Sequence, residues 1–89
     1  MDELRIFFER IRDDHRVGTA HVSMYAALVG LYLENGGVGF IAVRREELMA
    51  RSKILGKTTY YTVLRELAEW GYVEYRPERA RGRVSGVRI

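Results

Sequence analysis

Residues 44–89, RREELMARSKILGKTTYYTVLRELAEWGYVEYRPERARGRVSGVRI, read as two short helices, a glycine and a two-stranded hairpin tipped with arginine. The first helix runs from Arg45 to about Arg51. Leu48 and Met49 face inward, and Glu46 and Glu47 occupy the first turn, where the helix dipole favours acids. A tight turn, SKILG, leads to a second helix from about Lys57 to Trp70, with Gly56 as its N-cap. Tyr60, Val63, Leu64 and Leu67 fall at helical spacing and form its inward stripe. Gly71 stops this helix. Tyr72 to Arg76 and Arg83 to Ile89 are then strands, joined by the tip PERARG.

The preceding residues add two helices and a strand. Leu4, Phe7, Phe8 and Ile11 make one apolar stripe on a helix from Asp2 to about Asp13. The polar stretch DDHRVG breaks the pattern, and Thr19 is placed to cap the next helix, from about Ala20 to Glu34. That helix is apolar on two faces, one with Val22, Tyr25, Ala26, Val29 and Leu33, the other with Met24, Leu28 and Leu31. Either the first helix and the C-terminal core cover the two faces, or a second copy does, giving a homodimer through the first two helices. Asn35-Gly36-Gly37 ends it, and Phe40 to Val43 suit a short strand. The expected architecture is a single α+β domain over residues 1–89, a winged helix-turn-helix of order α-α-β-α-α-β-β.

Composition narrows the chemistry. The 89 residues include no cysteine, which excludes disulfides and thiolate metal sites. His15 and His21 have no cysteine partners, which argues against structural zinc. The longest apolar run, Val22 to Leu33, is short of the ~20 residues that span a bilayer. The N-terminus lacks a signal-peptide pattern, so the expectation is a cytoplasmic protein with no membrane partner. The net charge of +3 is unevenly spread. Residues 1–43 hold four arginines against six acids, residues 44–71 six basic groups against four acids, and residues 72–89 five arginines against Glu74 and Glu78. The positive field therefore belongs to the C-terminal half, where a nucleic-acid partner would dock.

The periodicity that buries Tyr60 and Leu64 turns Lys57, Thr58, Tyr61, Thr62 and Arg65 outward. In a helix-turn-helix this face enters the major groove of double-stranded DNA, where such side chains meet base edges, thymine methyls and phosphates. Arg76, Arg79, Arg81 and Arg83 bracket the hairpin tip, suited to phosphates or a narrow minor groove. Arg44, at the start of the first helix of the pair, and Lys53, in the turn, complete the candidate DNA-binding set. Gly56-Lys57-Thr58 imitates the end of a phosphate-binding loop. However, Arg51 stands where the first glycine belongs, and a helix precedes it instead of a strand. His15 beside Asp13 and Asp14 lies in an exposed connector, and the serines lack a nucleophile elbow. No catalytic residue, metal or cofactor is expected, and the chain does not read as an enzyme.

The strings TAHVSMY (19–25), RSKILGKTTY (51–60) and ELAEWGYVEY (66–75) resemble small bacterial winged-helix proteins, often encoded on or near mobile elements. The pattern is also similar to the winged-helix domains of replication initiators. The resemblance spans roughly residues 3–89. It implies a DNA-binding role, with Lys57, Thr58, Tyr61 and Thr62 on the recognition helix and Leu67, Gly71 and Tyr72 at its packing exit. Arg44 departs from the serine or threonine cap usual in such sequences, leaving a frayed helix start or a phosphate contact. A transcriptional regulator and a replication or plasmid-maintenance factor share this chemistry. The rival class is a protein–protein module, for which Tyr60, Tyr61, Trp70, Tyr72 and Tyr75 would supply an aromatic interface.

Overall fold

The computed structural model describes residues 2–77 and 85–89. Its elements run α1 (Asp2–Ile11), α2 (Thr19–Glu34), β1 (Ile41–Val43), α3 (Arg45–Ser52), α4 (Lys57–Glu69), β2 (Glu74–Arg76) and β3 (Ser85–Arg88). Four helices thus accompany one antiparallel sheet of order β1-β3-β2 among the described residues. The element order agrees in outline with expectation, although both hairpin strands are shorter at their outer ends.

α2 is the central helix, because it carries too much apolar surface for one contact. It packs against α1, α3 and α4, and Met24, Tyr25, Leu28, Val29, Leu31 and Tyr32 are all buried. Between the two ways of covering its faces, the fold supplies covers from within the chain. Phase differs from expectation at two positions, since Ala26 and Leu33 are exposed while Tyr32 is buried in their place.

α1 also shows a correction. Phe7 is buried and stacks face to face on Tyr25, ring centroids 3.8 Å apart. Phe8, expected in the same stripe, is 50% exposed. Adjacent helical positions lie about 100° apart, so only one of two neighbouring phenylalanines can meet Tyr25. The helix stops at Ile11, earlier than expected, where the Asp14 N–H closes a turn on the Ile11 carbonyl at 3.0 Å.

Three helix ends are met by specific partners. α2 starts not on a Thr19 cap but on Gly18, whose N–H donates to Nδ1 of His21 at 2.9 Å. No cap hydroxyl is present, and an imidazole reaching back from the first turn accepts the N–H of the cap residue. Ser23 donates its hydroxyl to the Ser52 carbonyl, which tends one of the open acceptors at the end of α3. α4 ends as the sequence implies. Gly71, at φ 82°, takes the left-handed conformation while Tyr72 N–H bonds Leu67 C=O at 2.8 Å and Gly71 N–H bonds Ala68 C=O at 3.1 Å. This pair of bonds is a Schellman closure, which favours glycine because a Cβ is strained there.

The sheet has one buried and one open face. Ile41, Val87 and Tyr75 lie in register across β1, β3 and β2, and Ile41 and Val87 are buried. Ala42, Gly86 and Arg76 form the neighbouring row, which period-two alternation turns to the opposite face. The hydrophobic core joins this inner row to Leu28, Leu48, Tyr60, Val63, Leu64 and Leu67.

Candidate functional site

α4 positions the main candidate face. Lys57, Thr58, Tyr61 and Arg65 are exposed and Thr62 is partly exposed, on the side opposite buried Tyr60, Val63, Leu64 and Leu67. Its first turn carries no acidic side chain, and its N-cap Gly56 offers no capping group. The N-terminal end of α4 therefore keeps its positive partial charge.

Tyr61 is oriented from two sides. Its ring meets Tyr60 edge to face at 5.0 Å, and its hydroxyl accepts a hydrogen bond from Arg45 Nη1 at 3.3 Å. Arg45 also pairs with Glu46 at 3.1 Å. The bond to Tyr61, ahead of the charge of Glu46, holds Arg45 more firmly in its charged form. Arg45 was not among the candidates. Its sequence signal was weak, because two adjacent arginines opening a helix do not reveal which one reaches the next helix. Arg65 lies 3.4 Å from Glu69 one turn along, with both side chains about 60% exposed. Such a pair is worth about 0.3–0.5 kcal/mol and gives way easily to a stronger anion.

A cleft of about 380 Å³ separates α4 from the hairpin, lined by Tyr61, Arg65, Tyr75, Pro77 and Ser85. Tyr75 comes from the inner row of the sheet. Arg76, one residue on, stands on the outer face, away from the α4 cations, with its guanidinium carbon 3.8 Å from the Phe40 ring centroid. Arg44 and Lys53 are exposed at the two ends of α3. Arg44 has extended backbone and makes no side-chain cap, and Lys53 holds a left-handed conformation at φ 63°. Arg79, Arg81 and Arg83 lie outside the described residues. The structure thus gathers Lys57, Thr58, Tyr61, Thr62 and Arg65 on one face of α4, while Arg44 and Lys53 stand at the ends of α3 and Arg76 on the outer face of the sheet.

Glu66 turns from the outward face of α4 toward α2, its carboxylate 2.9 Å from Nε2 of His21. The tautomer follows from donor counting. The Gly18 N–H can only donate, so Nδ1 must accept, and the proton resides on Nε2 and is given to Glu66. His21 therefore ties the start of α2 to the middle of α4.

Asp14 is likewise more than an exposed connector residue. Its carboxylate accepts Nε and Nη2 of Arg16, each at 2.8 Å, and the Tyr72 hydroxyl at 2.7 Å. The Arg16 fork, followed by the Tyr72 hydroxyl, holds this carboxyl well below the usual carboxylate range. Because the folded value is depressed, the stabilisation is present above about pH 4 and is lost as acid protonates the group. Thermal melts between about pH 2 and pH 6 should show the native chain losing more stability on acidification than Asp14→Asn, the two curves converging at low pH. Parallel curves would remove Asp14 from the acid response.

Among the described residues, no group of three or more His, Cys, Asp or Glu could hold a metal ion, and no helix is long and apolar enough to cross a membrane. Comparison with protein-family models, with curated proteins and with solved structures finds no match to this chain.

Proposed function

We propose that this protein is a winged helix-turn-helix that binds double-stranded DNA as a cytoplasmic regulator of transcription. In this reading α4 enters the major groove and the β2–β3 hairpin rides on the adjacent backbone or minor groove. The observation that carries it is the uncovered face of α4, where Lys57, Thr58, Tyr61 and Arg65 stand exposed beside a helix start free of acids. The α3–turn–α4 pair and the hairpin flanking α4, in a sheet of order β1-β3-β2, are consistent with a wing beside a recognition helix. Two copies would read two half-sites. Ile6, Phe8 and Leu33 are the exposed large apolar side chains of the first two helices on which such a pair could close.

Titration of a fluorescent random-sequence duplex at several salt concentrations tests the reading. Roughly 5–8 phosphate contacts give a log–log slope of about −4 to −7. Sedimentation of the free and DNA-bound protein would count the copies. A flat salt response with no duplex bound would overturn the proposal. It would leave a protein-binding module as the stronger reading, favoured by the aromatic walls that Tyr61 and Tyr75 give the cleft.

A further inference from the structure

The outer face of the sheet holds an arrangement that neither α4 nor the core requires. The Phe40 ring, from the segment leading into β1, carries two guanidinium groups. Arg76 of β2 lies 3.8 Å from its centroid and Arg88 of β3 lies 5.0 Å from it. Gly86 lies beneath the ring, where a Cβ would stand 3.6 Å from its edge, an ordinary contact distance. The two arginines are not equivalent. Arg88 directs both Nε and Nη2 at Glu74 Oε1, its cross-strand partner in register. Arg76 has no acidic partner among the described residues, and its contact with Phe40 is the closer of the two.

Stacking uses the flat face of a guanidinium and leaves the in-plane N–H donors pointing outward. A planar fork seated on a ring, with no carboxylate partner among the described residues, matches the oxygens of a phosphate diester. A free arginine would have to give up rotamer freedom on binding, whereas a stacked one has already lost part of it. We infer that Phe40 is a positioning residue for Arg76, and that together they form a phosphate clamp at the base of the hairpin, gripping the DNA backbone. The inference rests on the DNA-binding reading and assigns within it a residue that carries no charge. Arg88, already neutralised by Glu74, serves the sheet instead.

The test is duplex binding by fluorescence anisotropy with Arg76→Ala, Phe40→Leu, Phe40→Trp, Arg88→Ala and the double variant Phe40→Leu/Arg76→Ala. Thermal melting of each confirms that it folds. Arg76→Ala should weaken binding to all sequences about 5- to 20-fold and reduce the salt slope by about 0.9, one phosphate. Phe40→Leu keeps the apolar bulk but removes the ring face, and should weaken binding about 3- to 10-fold. Phe40→Trp should bind like the native chain, and Arg88→Ala within about twofold of it. The double variant should bind no more weakly than Arg76→Ala alone, which a merely structural role for Phe40 would not produce. If Phe40→Leu costs the same affinity with or without Arg76, or costs nothing while Arg76→Ala does, the clamp is overturned and the DNA reading survives. If the native chain binds no duplex at any salt, the DNA reading fails and the clamp falls with it. Should Phe40→Leu fail to fold, Phe40→Trp against Phe40→Tyr decides. Both must retain the native slope, and its loss in either overturns the clamp.

Discussion

Truncating Leu64 to alanine should lower the melting temperature by about 15–25 °C, from a loss of about 3–4 kcal/mol. Leu64 is fully buried, in the middle of the α4 stripe between Tyr60 and Leu67. Its removal takes apolar atoms out of the core and leaves a cavity on the line where α4 meets α2, both held by their other contacts. Domains gain only about 0.05–0.15 kcal/mol per residue in net stability, so this one change removes a large share of the total. Calorimetry or circular dichroism reads the shift directly. Leu55→Ala is the internal comparison, because Leu55 is 93% exposed and should move stability by less than about 0.5 kcal/mol. A Leu64→Ala shift below about 5 °C would mean that α4 collapses into the space, contrary to its placement among fixed neighbours.

Neutralising Lys57 and Arg65 together should weaken duplex binding by about 2–5 kcal/mol, a factor of roughly 30 to 4,000, and reduce the salt slope by about one to two units. The two side chains stand two turns apart on the exposed face of α4. Their contributions differ in kind. Lys57 lies in the first turn, where it adds a point charge to the positive end of the helix dipole and acts on phosphate. Arg65 presents a fork beside the cleft and suits a guanine edge, so Arg65→Ala alone should also relax sequence preference. Binding measured on a selected site and on random duplex separates these effects. If the double variant binds as tightly as the native chain, this face of α4 does not meet DNA.

Much of the helical frame was legible because its signals are local. Tyr60, Val63, Leu64 and Leu67 repeat at helical spacing, and Gly71 follows where the repeat ends. The inward–outward division of α4 therefore needed no tertiary information. Where a choice depended on a distant partner, the local pattern was insufficient. Nothing near Phe7 and Phe8 decides which of them goes inside, since the deciding ring is Tyr25 on another helix. The ties from His21 to Glu66 and from Asp14 to Tyr72 join residues far apart in sequence, and single polar residues carry no period. Arg76 was legible as a cation of the hairpin but not as one seated on Phe40, because no spacing rule links the approach to β1 with β2. Thr19 misled for a different reason. A hydroxyl is the usual cap, but here the cap position is a glycine and a histidine ring three residues in accepts the Gly18 N–H.

The sheet order β1-β3-β2 also bears on how the chain reaches this state. Its middle strand is the latest of the three in sequence, and both edge strands bond to it and not to each other. β2 meets β3 within one hairpin, but β1 pairs with a strand that follows two helices and another strand, a closure as long in sequence as that of α2 on α4. A chain interrupted before residue 85 would hold two short strands with no neighbour, exposing the backbone groups of Ile41–Val43 and Glu74–Arg76 to whatever strand came first. Ser85–Arg88 therefore closes the sheet, joining the hairpin strand Glu74–Arg76 to Ile41–Val43 in the body of the fold.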